Sequence, residues 1–234
     1  MIYTSTDSGE SWKIIMNRLE YSRFDWNIPY MKPSYNGGGN CVHWISDIKF
    51  SPFDSDTALF NTGTGLFMIT GLASGDVLVK PFCEGIEETV HLNVYTTPHG
   101  RNRIIDIIGD LGGFAFEDYD SECENSFANE NGDRYITCLN ADLTLSDPEY
   151  IVATPRGNWT GKTKGGLILS KDCGSTWERL PMPRGLSEFI DKKLDNIEKP
   201  NVDSGWTAIS ADGKRIMWAV AGGRGFSNKA VCYT

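Results

Sequence analysis

The sequence predicts an all-β chain made of four-stranded β-propeller blades. Three observations carry this: a turn motif that occurs twice, a strand pattern that recurs between the two copies, and very little helical periodicity. The motif reads Ser-x-Asp-x-Gly-x-Ser/Thr-Trp, at Ser5 to Trp12 and again at Ser170 to Trp177. Each copy follows a short apolar run (Ile2 to Thr4; Gly166 to Leu169) and leads into another (Trp12 to Met16; Trp177 to Leu180). This is the Asp-box pattern. Its aspartate is expected to accept backbone N–H bonds within a tight hairpin turn, its glycine to take a positive φ, and its tryptophan to pack under a blade. One copy would be a weak signal, but two with the same flanks form a repeat.

The two boxes lie 165 residues apart, three intervals of 55, and strand-like runs recur between them. Ile45 to Phe50, Ala58 to Asn61 and Leu66 to Thr70 form one set. Leu92 to Thr96, Ile104 to Ile108 and Phe114 to Phe116 form the next. Leu143 to Leu145, Tyr150 to Thr154 and Leu167 to Leu169 follow, and Trp206 to Ile209, Ile216 to Val220 and Ala230 to Tyr233 begin a further set. Strands this short, at this spacing and separated by Gly/Pro/Asp turns, are the grammar of propeller blades. Leu186 to Asn196 is the one helix-like stretch, read as decorating a loop. The chain starts one strand before a box and stops where the next box is due. Residues 1–234 are therefore expected to form one partial propeller domain of about four blades, truncated at both ends, because a closed propeller needs more blades to remove its exposed edges.

Composition narrows the function. Of 234 residues, 40% are hydrophobic and 12% aromatic, enough for a sizeable core, and 25 glycines and 10 prolines suit many turns. A formal net charge of -9 repels phosphate backbones and argues against nucleic acid as a partner. No apolar run is long enough for a membrane-spanning helix, and Met1 to Ser11 lacks the basic and apolar regions of a signal peptide. The six cysteines contain no CxxC pair and read as buried or free thiols. His43, His91 and His99 lack metal-ligand spacing, so neither a metal nor a cofactor is expected. Asn158-Trp159-Thr160 is a glycosylation sequon.

Two stretches are more specific. Cys41 to Thr70 runs CVHWISDIKFSPFDSDTALFNTGTGLFMIT, and Gly85 to Glu117 runs GIEETVHLNVYTTPHGRNRIIDIIGDLGGFAFE. Together they resemble the second propeller of glycoside hydrolase family 74, where a tryptophan-rich strand, a DPFDSD…YGTG segment, a GIEE segment and a GD-x-GGF segment occur in this order. The motif order matches over Ile2 to Phe116, about half of the chain.

The resemblance implies an enzyme of two seven-bladed propellers that hydrolyses β-1,4-glucan backbones, mostly xyloglucan, with inversion and with one catalytic aspartate from each propeller. By motif the copy here is Asp110, in Gly109-Asp110-Leu111-Gly112-Gly113, as general acid. Inversion needs one protonated carboxyl for the leaving oxygen and one carboxylate for the attacking water, and partial burial would help keep Asp110 protonated. Flanking glycines would let sugar approach closely. The alternative is that Asp110 caps a turn, a common fate of Asp beside Gly.

No second turn of this kind occurs, so the general base is expected in an absent first propeller and this fragment is expected to be inactive alone. Asp47 and Asp106 read as structural, while Asp118 and Asp120 follow the GGF strand. Trp26, Tyr30 and Tyr35, in the loop Arg18 to Asn40, and Trp44 after it are candidate sugar platforms, because pyranose C–H groups stack on aromatic faces. Glu87 and Glu88 match GIEE and are candidates for substrate binding or for supporting the Asp110 turn. Trp12, Trp177 and Trp206 read as core. The resemblance further implies a plant cell-wall polysaccharide as partner and secretion to the extracellular space. A sialidase would need an arginine cluster, and the arginines are scattered. A non-catalytic, sortilin-like binding propeller is separated from the hydrolase by Asp110 and the motif order around it.

Overall fold

The computed structural model describes residues 1–16, 44–86, 89–123, 125–157, 163–181, 205–220 and 230–233. They contain seventeen β-strands and no helix, and the chain divides into two compact units, Met1–Thr89 and Val90–Thr234. The helix-like stretch Leu186 to Asn196 lies outside the described residues.

In the first unit, β1 (Ile2–Thr4) and β2 (Lys13–Met16) close the first Asp-box hairpin. β3 (Ile48–Phe50), β4 (Thr57–Thr62), β5 (Gly65–Thr70) and β6 (Leu78–Pro81) form a four-stranded antiparallel sheet in chain order. Alternation along β4 and β5 buries Ala58, Phe60, Phe67 and Ile69, and Phe60 stacks on Phe67 at 5.5 Å between ring centres. The SPFDSD segment is the turn into β4: the Asp54 carboxylate accepts the Thr57 hydroxyl and the Asp56 amide, which hold its pKa below the ordinary value.

The second unit holds three further meanders. β7 (Val90–Thr96), β8 (Ile104–Gly109), β9 (Gly112–Phe116) and β10 (Asn125–Ser126) form one sheet. β11 (Cys138–Leu143), β12 (Ile151–Pro155), β13 (Ile168–Ser170) and β14 (Glu178–Arg179) form the next. β15 (Trp206–Ile209), β16 (Ile216–Val220) and β17 (Ala230–Tyr233) complete the unit. Every sheet runs in chain order, as propeller blades do.

β12 explains how these sheets stack, because it is buried along its whole length. Ile151 and Ala153 join Ile105, Ile107, Ala115 and Phe127 in one core cluster, whereas Val152 joins Ile209, Trp218 and Val220 in another. Alternate side chains of one central strand thus fill two inter-sheet layers.

β11 differs from expectation. It runs Cys138–Leu143, not Leu143 to Leu145, and Leu145 is 80% exposed beyond the strand. The polar residues inside it are used by the neighbouring sheet: Asn140 Oδ1 accepts the Thr207 amide and Asp142 Oδ2 the Ile209 amide, both at 2.8 Å. Two carboxamide or carboxylate oxygens spaced i, i+2 thereby satisfy alternate amides of β15.

Candidate active site at the Asp110 turn

Asp110 lies where the motif predicts, in the connection between the second and third strands of its sheet. The β8–β9 register pairs Ile108 with Gly112, leaving Asp110 at the tip. It is exposed and takes φ 63. Only four described non-glycine residues have positive φ: Ser8, Cys173, Trp44 and Asp110. Ser8 and Cys173 are the same position of the two Asp-boxes. The other two are both residues singled out from motifs, and a strained, exposed polar residue is a feature that function often retains.

The partial burial expected for Asp110 is not found, because the turn projects beyond the sheet. The expected role of the glycines is also corrected. A Cβ on Gly112 (φ +83) would lie 2.6 Å from the Tyr135 carbonyl oxygen, and one on Gly113 would lie 2.7 Å from both the Asp106 carbonyl oxygen and the Phe127 ring. The paired glycines are required because the chain's own residues press against the turn from that side; they do not open a path for sugar.

The segment that presses on the turn runs from Tyr135 to Thr137. The Gly112 amide donates to the Ile136 carbonyl at 2.9 Å, and Gly112 bridges Thr137 in parallel. The Asp110 amide donates to Thr137 Oγ1 at 2.9 Å. Thr137 is 8% exposed. The sequence reading missed this residue: it sits 27 positions downstream, next to no motif.

Asp106 on β8 is buried, and its carboxylate contacts His91 Nδ1 at 2.8 Å. Burial pushes its pKa up, and the hydrogen bond and charge of His91 oppose that rise. This satisfied pair agrees with a structural role for Asp106. Asp47 precedes β3 and contacts Lys49 at 2.6 Å. Asp118 accepts the Asp120 amide and the Ser121 hydroxyl, which makes it a turn residue.

Of the candidate sugar platforms, Trp44 is 75% exposed in the first unit, with φ 55. Trp26, Tyr30, Tyr35, Glu87 and Glu88 lie outside the described residues. Trp177 is core, but Trp12 (65% exposed) and Trp206 (67%) are not. Trp206 falls on the outward phase of β15, whose inward residues are Thr207 and Ile209. Cys123, Cys138 and Cys173 are free thiols. Full burial pushes Cys138 up to about 12, and burial with nearby acidic groups pushes Cys123 up to about 11.

These sheets and boxes define an Asp-box β-propeller protein. No family model matches the sequence. Relatives do: a xyloglucanase of a Paenibacillus species is 25% identical over 252 residues, spanning 100% of this chain and 22% of that protein. A xyloglucanase of Acetivibrio thermocellus is 25% identical over 93% of this chain and 25% of its own length. An oligoxyloglucan-reducing end-specific xyloglucanase of Emericella nidulans is 27% identical over 94% of this chain and 30% of its own length.

Among solved structures, the GH74 xyloglucanase of Xanthomonas campestris superposes with a TM-score of 0.65 at 23% identity, covering 93% of this chain and 28% of that one. The GH74 enzyme of Niastella koreensis gives 0.63 at 18% identity, covering 99% and 28%. The chain is a homologue of these xyloglucanases with the propeller fold of the GH74 enzymes, and it spans about a quarter of the length of the relatives it matches.

Proposed function

We propose that this chain is part of an inverting, secreted glycoside hydrolase that cleaves the β-1,4-glucan backbone of xyloglucan, with Asp110 as the general acid. The observation that carries the reading is the Asp110 turn: an exposed carboxyl at a strand-to-strand tip, on left-handed backbone, with its glycines locked from behind. An acid there reaches a glycosidic oxygen from the solvent side, donates its proton as the C–O bond breaks, and leaves the opposite face of the sugar to water and a second carboxylate. The named activities of the sequence relatives support xyloglucan as substrate. The second carboxylate belongs, on this reading, to another propeller of a longer protein, so residues 1–234 alone bind glucan without turning it over.

Asp110→Asn in that longer protein tests the assignment. It should reduce turnover of xyloglucan by roughly 100-fold or more while leaving binding by affinity electrophoresis nearly unchanged. Normal turnover in the variant would reduce Asp110 to a turn residue.

A further inference from the structure

We infer that Thr137 is the positioning residue for Asp110, fixing the direction in which its carboxyl leaves the turn; this rests on the general-acid reading above. The β8–β9 ladder stops short of Asp110, which takes φ 63 at the tip. Ladder pairing ends at Ile108 and Gly112, and the Asp110 amide finds its acceptor on Thr137 Oγ1 at 2.9 Å. Left-handed backbone is unfavourable for a residue with a Cβ, so the tie to Thr137 favours this turn geometry over others that would carry the carboxyl elsewhere.

Thr137 is suited to the task because it is itself immobilised. It is buried, its carbonyl accepts the Arg156 amide at 2.6 Å next to the end of β12, and the adjacent Ile136 carbonyl holds Gly112. The acid is therefore set by three tethers from one segment: the hydroxyl on Asp110, the Ile136 carbonyl on Gly112, and the Tyr135 carbonyl packed where a Gly112 side chain would be. Only the first acts through a side chain, so only Thr137 can be changed without altering the backbone.

General-acid assistance matters when the leaving group is poor and hardly at all when it is good. A displaced acid should therefore slow cleavage of the glucan, whose leaving group is a sugar alkoxide, and spare an aryl glycoside that releases a nitrophenolate. A variant that merely weakens the fold slows both alike.

The experiment has two arms. In the chain itself, Thr137→Val, which keeps the shape and removes the acceptor, should raise amide exchange at Asp110 about tenfold, and Thr137→Ser should restore protection. Unchanged exchange at Asp110 in Thr137→Val overturns the inference whatever the enzymology shows. In the longer protein, Thr137→Val should lower kcat on xyloglucan by roughly 10–100-fold with little change in KM. Turnover of a nitrophenyl xyloglucan oligosaccharide should be nearly normal, and Thr137→Ser should recover kcat. Equal losses on both substrates, or no rescue by serine, would also overturn it. If Asp110→Asn keeps full turnover, the general-acid reading is what fails, and the exchange arm then shows separately whether Thr137 sets the Asp110 backbone.

Discussion

The two Asp-boxes carry the same internal bonds and meet different surroundings. In the first, Ser5 Oγ lies 2.7 Å from Asp7 Oδ1 and accepts the Gly9 amide at 2.8 Å, while Asp7 accepts the Ser11 amide at 2.9 Å. In the second, Ser170 Oγ lies 2.7 Å from Asp172 Oδ1 and accepts the Gly174 amide at 2.8 Å, while Asp172 accepts the Thr176 amide at 2.8 Å. The tip residues Ser8 and Cys173 adopt φ 60 and φ 58.

Burial separates them. Trp12 is 65% exposed and bonds the Gly9 carbonyl through Nε1, whereas Trp177 is 4% exposed, packs on Phe127 at 4.5 Å, and has no hydrogen-bond partner for Nε1 among the described residues. Cys173 sits against Gly100, where a Cβ would come within 2.8 Å of its sulfur, and the buried Asn102 donates to the Cys173 carbonyl and the Ser175 hydroxyl. The motif therefore specifies the hairpin, and a loop some seventy residues upstream decides whether the hairpin is buried.

The largest effect expected from this difference is on the tryptophans. Trp177→Ala should destabilise the second unit by about 3–5 kcal/mol, the usual cost of emptying a buried aromatic site. Trp12→Ala should stay within about 1 kcal/mol. Urea denaturation of the two variants measures this, and equal losses would mean that the boxes are not distinguished by burial.

The next effect concerns the tie itself. Asn102→Ala leaves the Cys173 carbonyl without its donor inside a buried junction, and should cost about 1–3 kcal/mol. Amide exchange at Gly174 and Ser175 should rise, while Gly9 and Ser11 stay unchanged. If Gly174 keeps its protection, the box holds itself together even when buried, and the contrast with the first box narrows.

The same division between local and distant causes explains what was readable. β8, β15 and β16 were found within a residue because their runs are dense in apolar residues and bounded by turn residues. The Asp110 turn was found because its glycines are local. β11 was displaced because Asn140 and Asp142 look like loop residues until β15 supplies the amides they accept. β6, β10 and β14 are short outer strands whose pairing depends on the sheet they join. Thr137 was invisible for the same reason as Asn102: each acts on a turn far away in the chain. Trp206 was misread because tryptophan on a strand fits either phase of the alternation, and only the packing of Thr207 and Ile209 decides which.

The smallest expected effect is the most direct test of what the boxes share. The Ser11 hydroxyl and amide, with the Ser5 hydroxyl, hold the exposed Asp7 carboxyl down at about 2. At Asp172 burial works against ionisation, but the Thr176 hydroxyl and amide and the Ser170 hydroxyl together outweigh it, so its pKa is lowered as well. For a carboxyl lowered on folding, the stabilisation is fully present above the ordinary value, near 3.8, and is lost as pH falls through the folded value. Both boxes should therefore loosen on acidification below about pH 4 and neither on alkalinisation. Carbon-detected NMR titration of the two carboxyls should place Asp7 near 2, with Asp172 depressed less because burial opposes its charge. Ser11→Ala should move Asp7 upward and leave Asp172 where it was. A midpoint for Asp7 at the ordinary carboxylate value would mean that its hydroxyl and amide partners are not held in place in solution, and the exposed box would then differ from the buried one in structure as well as in packing.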